Sequence, residues 1–191
     1  MEKAVFLDRD GVINEDVGYA KSIADIKILP DVPKALIKIK EQGYKIFVIT
    51  NQAVISRGYS TEEDIKKLHE QMNALIVQQG GVPIDRFYLC PHHPNADIIQ
   101  YRKVCECRKP AHGLILQAAK ENLIDLKDSW MLGDRVSDIV AGKNAMCKTI
   151  LVRSPQSEHV TVSGIAFDKN TKADYEVNTL LEAVEIIESK S

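Results

Sequence analysis

At 191 residues, with 45% apolar and 27% charged side chains, the chain has the make-up of one globular unit, long enough to bury a sizeable core and too short for two large domains. A net charge of -2, from 25 basic and 27 acidic residues, supplies no field that gathers a polyanion, which argues against nucleic acid as a main partner. No apolar run nears the roughly 20 residues that span a bilayer, and the amino terminus runs straight into an apolar strand instead of a leader. The expectation is a cytoplasmic monomer of one domain, residues 1–191, with no membrane partner.

Lys3 to Leu7 (KAVFL) predicts a buried strand. Asp31 then opens a helix with Val32, Ala35, Leu36 and Ile39 on one face, and Gly43 ends it. Lys45 to Thr50 (KIFVIT) is a second apolar run. Ser60 and Glu63 have capping-box spacing ahead of a longer helix whose stripe is Ile65, Leu68, Met72, Leu75 and Ile76, closed by Gly80 and Gly81. Arg86 to Cys90 (RFYLC) predicts a third strand, and Pro110 introduces a helix running to about Asn122. Trp130 to Leu132 and Thr149 to Val152 flank a helix carrying Val136, Ile139 and Val140. Residues 153–173 read as a surface loop before a last strand near Tyr175 and a helix with Leu180, Leu181, Val184 and Ile187. Strand and helix alternate throughout, which predicts an α/β fold with a doubly wound, mostly parallel sheet.

In such a sheet, functional groups gather at the carboxyl ends of the strands. The first strand ends at Asp8 and Asp10, the second at Thr50 and Asn51, and the fourth at Gly133 and Asp134, with Asp138 a turn later; Lys109 follows the third strand and its loop. Taken singly, each has an ordinary reading: D-x-D-G is a common turn, Asp134 a turn residue, Thr50 a strand cap and Lys109 a solvated charge. Together they make a recognisable chemistry. Carboxylates suit Mg²⁺, which keeps several waters and takes further oxygens from a phosphate, while a hydroxyl, an amide and an ammonium hold phosphoryl oxygens. One carboxylate attacks phosphorus; a second protonates the departing oxygen and later deprotonates water.

Three of the four cysteines, Cys90, Cys105 and Cys107, crowd into residues 90–107 with the His92–His93 pair. C-x-H and C-x-C offer three thiolates and an imidazole, a Cys₃His set suited to a closed, structural zinc site. The spacing leaves open which histidine binds. Folding this loop around Zn²⁺ fixes Arg108 and Lys109, which follow it directly. Cys147, remote in sequence, reads as a core cysteine.

FLDRDG, VITNQ, CRKP and MLGDRVSD, in that order, resemble the four motifs of the haloacid dehalogenase superfamily. The resemblance implies a Rossmann-like fold, Mg²⁺ dependence and an aspartyl-phosphate intermediate. It makes Asp8 the nucleophile and Asp10 the general acid/base, with Thr50 and Lys109 steadying the phosphoryl group. It gives Mg²⁺ to Asp8, the backbone carbonyl of Asp10, and Asp134, with Asp138 behind them. It also selects His92 for zinc beside Cys90, Cys105 and Cys107. The gaps from Asp10 to Thr50 and from Thr50 to Lys109 leave no room for an inserted cap domain, so specificity falls to short loops and a small phosphorylated metabolite.

DRDGVIN, the DVGY segment, and CPHHP joined by a long loop to CECRKP are similar to the heptose bisphosphate phosphatase family. That similarity implies removal of the 7-phosphate of D-glycero-D-manno-heptose 1,7-bisphosphate, a step of heptose supply for bacterial surface glycans. By the same match Asp16, Val17, Gly18 and Tyr19, together with Thr50, Asn51, Gln52 and Ala53, line the pocket. Arg57, Arg108 and Arg135 are further candidates for gripping the sugar or its second phosphate. The family usually reads NQSGIARG where this chain has NQAVISRG, so Ala53 and Val54 bear on sugar and anomer preference. Histidinol-phosphate phosphatases share the motifs but have a shorter loop than residues 93–104. A nucleic-acid 3′-phosphatase needs a basic groove, and a phospho-acceptor signalling domain gains nothing from a zinc loop.

Overall fold

The computed structural model describes residues 1–155, 157–159 and 162–190. Among these residues six strands form one sheet: β1 (Lys3–Leu7), β2 (Tyr44–Asn51), β3 (Arg86–Cys90), β4 (Trp130–Gly133), β5 (Lys148–Val152) and β6 (Tyr175–Val177). The order is β3-β2-β1-β4-β5-β6, and each neighbouring pair is parallel. The helices are α1 (Val32–Glu41), α2 (Ala53–Ser56), α3 (Glu62–Gln78), α4 (Gly113–Asn122), α5 (Val136–Asn144) and α6 (Leu180–Ser189).

Both faces of the sheet are covered, which is why its strands read as unbroken apolar runs. Val5 and Leu7 of β1 join Ile46, Val48 and Leu132 in a core shared with α1, α3 and α6. Ala4 and Phe6 point the other way, packing with Phe47, Ile49 and Met131 against Ile115 and Ala118 of α4 and Ala141 of α5. The period-2 alternation of a strand thus feeds two cores at once. Cys147 is buried in the second of them.

Register brings the strand ends level. Leu7 pairs with both Val48 and Leu132, so Asp8 leaves the sheet beside Ile49 and Gly133, and its amide still donates to the Leu132 carbonyl at 2.9 Å. Connections from β1 and β4 diverge to opposite sides, opening a crevice at the carboxyl ends of these central strands.

Two helix starts differ from expectation, and some short elements were not expected. The capping box of α3 is Thr61 and Asp64, one residue beyond Ser60 and Glu63: Thr61 Oγ1 accepts from the Asp64 amide and Asp64 Oδ2 from the Thr61 amide, both at 3.1 Å. Thr61 holds the extended backbone that an N-cap needs, and starting there turns Ile65, Leu68, Met72 and Ile76 inward while Leu75 is only half-buried. Pro110 does not begin α4. The amides of Ala111 and Gly113 donate back to Arg108 and Glu106, so the chain turns before the helix starts at Gly113. The short α2 and the 3₁₀ turns at Ile23–Asp25 and Ile99–Tyr101 lack a long apolar stripe and were not expected.

Candidate active site and metal centre

A cleft of about 630 Å³ opens at the carboxyl ends of β1, β2 and β4, with Asp8, Asp10, Thr50, Lys109 and Asp138 among its lining residues. Local geometry aims each of them. After Asp8 the chain turns through Gly11 at φ +84°, and a Cβ there would fall 2.3 Å from an Asp134 carboxylate oxygen. Gly133 is equally constrained, since a Cβ would meet that of Asp138 at 2.1 Å. These glycines let the carboxylates approach one another.

Lys109 is 2% exposed, and its ammonium is fully committed. Nζ lies 2.8 Å from Asp8 Oδ1, 2.6 Å from Asp138 Oδ1 and donates to the Ile49 carbonyl at 2.6 Å. Burial opposes the charge, but Asp138 and Asp8 outweigh it and hold the Lys109 pKa above its ordinary value. Asn51 clamps the Lys109 backbone on both sides, accepting from its amide at 3.1 Å and donating to its carbonyl at 3.2 Å.

Oxygens of Asp8, Asp134 and Asp138 lie within 4.8 Å of one another. Burial, followed by the charges of Asp8 and Asp138, pushes Asp134 up to about 8; burial likewise takes Asp8 to about 6 despite Lys109. Asp134 Oδ2 accepts from Ser154 Oγ at 2.6 Å, while its buried Oδ1 has no hydrogen-bond partner among the described residues. A crowd of buried carboxylates with an orphaned oxygen fits a hard divalent cation. Asp138 is placed differently: its Oδ1 faces Lys109 and its Oδ2 accepts from the Arg135 amide at 2.9 Å.

Asp10 lives in a contrasting environment. Arg9 grips both of its oxygens, with Nη2 at 2.8 and 2.9 Å, and Asn14 Nδ2 and Gln52 Nε2 donate at 2.9 and 3.0 Å. Burial works to raise its pKa, but the Arg9 charge and these donors prevail and hold it low. Gln52 Nε2 also donates to Thr50 Oγ1 at 2.8 Å, joining the two strand ends.

Around the mouth stand Asp16, Val17, Gly18, Tyr19, Asn51, Gln52, Ala53, Arg108 and Arg135. Arg135 Nη2 pairs with Asp16 Oδ2 at 2.7 Å, while Arg108 donates from Nε to the Val162 carbonyl and from Nη1 to that of His92. Arg57 does not itself line the cleft among the described residues, but its side chain hydrogen-bonds Tyr19, which does. Its Nη1 donates to the Asn95 carbonyl at 2.8 Å and lies 3.4 Å from Asp97, tying the rim instead.

The cysteine loop closes as its spacing demands. Cys90, His92, Cys105 and Cys107 converge, with sulfurs 3.0 to 3.6 Å apart and His92 Nδ1 3.2 Å from Cys107 Sγ. That is close to the ~3.8 Å sulfur separation of a tetrahedral site with Zn–S of about 2.3 Å, so the four residues could hold one zinc ion. His93 turns away into the cleft wall.

Sequence reasoning missed Arg9, Asn14 and Ser154. Arg9 and Asn14 sit inside the DRDGVIN motif, which was their available signal; Ser154 had none.

A profile of the HAD-hydrolase-like family matches residues 106–183. The D-glycero-beta-D-manno-heptose-1,7-bisphosphate 7-phosphatase of Haemophilus ducreyi is 39% identical over 184 residues, covering 96% of this chain and 97% of that protein. The enzyme of the same name from Photorhabdus laumondii is 44% identical over 152 residues, covering 79% and 80%. The crystal structure of the D,D-heptose 1,7-bisphosphate phosphatase of B. bronchiseptica, solved with magnesium and phosphate, superposes with a TM-score of 0.79 at 27% identity and covers 99% of both chains. Near-complete coverage at this identity, joined to a carboxylate and lysine cluster at the carboxyl edge of a Rossmann-like sheet, means that the chain belongs to the heptose bisphosphate phosphatase family of HAD-like hydrolases.

Proposed function

We propose that the protein removes the 7-phosphate of D-glycero-β-D-manno-heptose 1,7-bisphosphate through an aspartyl-phosphate on Asp8. The observation carrying this reading is Lys109, buried between Asp8 and Asp138 at the floor of a cleft that has Arg108 and Arg135 in its walls. One set of cations meets the reacting phosphate and another the far end of a doubly phosphorylated sugar. The names of the relatives support the β anomer, which the sequence alone leaves open.

An Asp8 oxygen attacks phosphorus in line while the bond from phosphorus to the 7-oxygen breaks. Asp10 supplies the proton that the alkoxide leaving group needs. Its resting carboxylate is held ionised by Arg9, and an arriving phosphate dianion favours proton uptake there by adding negative charge alongside. Thr50 and the Lys109 ammonium, whose donor to Asp8 is released as that carboxylate turns to attack phosphorus, meet the equatorial oxygens where charge spreads. Asp10 then takes a proton from the water that hydrolyses the acyl phosphate, returning Asp8 and releasing phosphate. Asp8, the backbone carbonyl of Asp10, and Asp134 would hold Mg²⁺, which when bound neutralises phosphoryl charge. Cys90, His92, Cys105 and Cys107 would hold a structural Zn²⁺ that orders the chain leading to Arg108 and Lys109.

Comparing kcat/KM for both anomers of the heptose bisphosphate with that for histidinol phosphate tests the proposal. The β anomer is expected to lead; a preference for histidinol phosphate overturns the substrate assignment.

A further inference from the structure

Arg9 is fully buried, and burying a guanidinium is costly unless its charge and donors are matched. Nε and Nη2 go to Asp10, with Nε 3.1 Å from Oδ1. Nη1 goes elsewhere: it lies 3.3 Å from Nε2 of His69, a 4% exposed residue on α3. Arginine has no acceptor, so Nη1–H donates, the Nε2 lone pair accepts, and the imidazole proton sits on Nδ1. The His69 ring is in turn fixed by stacking on Phe87 of β3, with centroids 4.3 Å apart and planes 15° from parallel. Burial, and after it the Arg9 charge, push the His69 pKa down to about 3, in keeping with a permanently neutral acceptor. The chain of contacts therefore runs from Phe87 through His69 and Arg9 to both oxygens of Asp10.

We propose that His69 is a positioning residue for the acid/base carboxylate, holding the buried Arg9 guanidinium in the orientation that grips Asp10. The inference rests on the proposed role of Asp10. Without the His69 lone pair, an Arg9 donor is left unmet in the core, and the guanidinium turns to find a partner. Its fork then leaves Asp10, and a carboxylate misplaced by about 1 Å can cost on the order of 100-fold in rate. Such a loss has a chemical signature. A sugar phosphate departs as an alkoxide and needs its proton, whereas p-nitrophenyl phosphate departs as a stabilised phenolate and does not.

The test measures kcat/KM on the heptose bisphosphate and on p-nitrophenyl phosphate for three variants whose folding is checked by thermal melting. His69→Leu is expected to lose about ten- to 100-fold on the sugar phosphate and little on the aryl ester. His69→Gln places an amide oxygen near the Nε2 position and is expected to restore most of the loss; His69→Asn reaches only toward Nδ1, is expected to fail, and replaces the leucine variant if that does not fold. Equal losses on both substrates, or a glutamine variant no better than asparagine, overturn the proposal by making His69 a packing residue only. Asp10→Asn is the control for the underlying reading: if it retains activity on the sugar phosphate, the role of Asp10 fails, and that failure is separate from any result at His69.

Discussion

Lys109 Nζ lies 2.8 Å from Asp8 Oδ1 at a point where the lysine side chain is 2% exposed. The proposed nucleophile and its charge partner are thus removed from water together. Asp138 completes the arrangement on the other side of the ammonium at 2.6 Å.

Removing that cation strands two carboxylates in the protein interior. Breaking a buried pair costs roughly 3–5 kcal/mol because an uncompensated charge stays behind. Lys109→Met is therefore expected to lower metal-free stability by about that amount near neutral pH, and to lower turnover by at least ~10²-fold through the lost phosphoryl contact. Urea unfolding and steady-state kinetics measure the two effects. A stability loss below about 1 kcal/mol would show that solvent reaches the site more freely than the burial of Lys109 indicates.

Mg²⁺ should stabilise the protein increasingly as pH rises. Asp134 is pushed up to about 8 from an ordinary carboxyl value of 3.8, so between those limits the folded chain holds a proton that the unfolded chain has lost. Stability of the Mg²⁺-free protein therefore falls with rising pH across that window. His69, pushed down to about 3, acts in the opposite sense, but only below about 6.5. With the cysteine loop metallated its thiols do not titrate, and pH 6.5 to 8 is where Asp134 dominates. A cation binding the ionised carboxylates removes the penalty. Thermal melts with and without Mg²⁺ should diverge as pH increases through this range; a constant gap would count against Asp134 as a ligand.

The residues legible in the sequence are those whose position follows from topology. Once the elements alternate in a parallel sheet, Asp8, Thr50 and Asp134 fall at carboxyl strand ends along one edge of the sheet, and the order β2-β1-β4 makes those ends neighbours. Register supplies the rest, because Leu7 pairs with Val48 and Leu132. His69 was illegible for the converse reason: it lies between Leu68 and Glu70, outside the apolar stripe predicted for its helix. Arg9 stood inside the DRDGVIN motif, but nothing along the chain links it to His69. Only the packing of α3 near β1 and β3 makes them neighbours. The one-residue shift from Ser60 to Thr61 has a similar origin: both sites satisfy the capping pattern, and burial of Ile65 and Leu68 chooses between them.

The cysteine loop is expected to couple metal content to catalysis. Cys107 lies near the other three ligand candidates and is followed directly by Arg108 and Lys109. Its thiol is pulled down to about 5, first by its hydrogen bond with Cys90. Cys107→Ser should abolish zinc retention, lower the melting temperature and reduce kcat/KM together, while Cys147→Ser, at a site remote from the loop, should leave zinc content unchanged. Elemental analysis should find about one zinc per wild-type chain. A zinc-free wild-type protein with full activity would remove the structural role.

Arg135 offers the sharpest test of how the far end of the substrate is read. Its Nη2 is 2.7 Å from Asp16 Oδ2, and its side chain remains 30% exposed at the cleft mouth, so it is pre-oriented yet still open to a ligand. A charge-assisted hydrogen bond of this kind is worth roughly 1.5–3 kcal/mol, about ten- to 100-fold in kcat/KM. Arg135→Ala should lose that factor on the sugar bisphosphate and almost none on a sugar monophosphate that lacks the second anion, with the effect falling mainly on KM. Asp16→Asn keeps a hydrogen-bond acceptor but releases the ion pair, and should produce a smaller loss in the same direction because the guanidinium is then less firmly aimed. Parallel kinetics on the two substrates decide the matter: equal losses on both would place Arg135 at the reacting phosphate instead of the remote one.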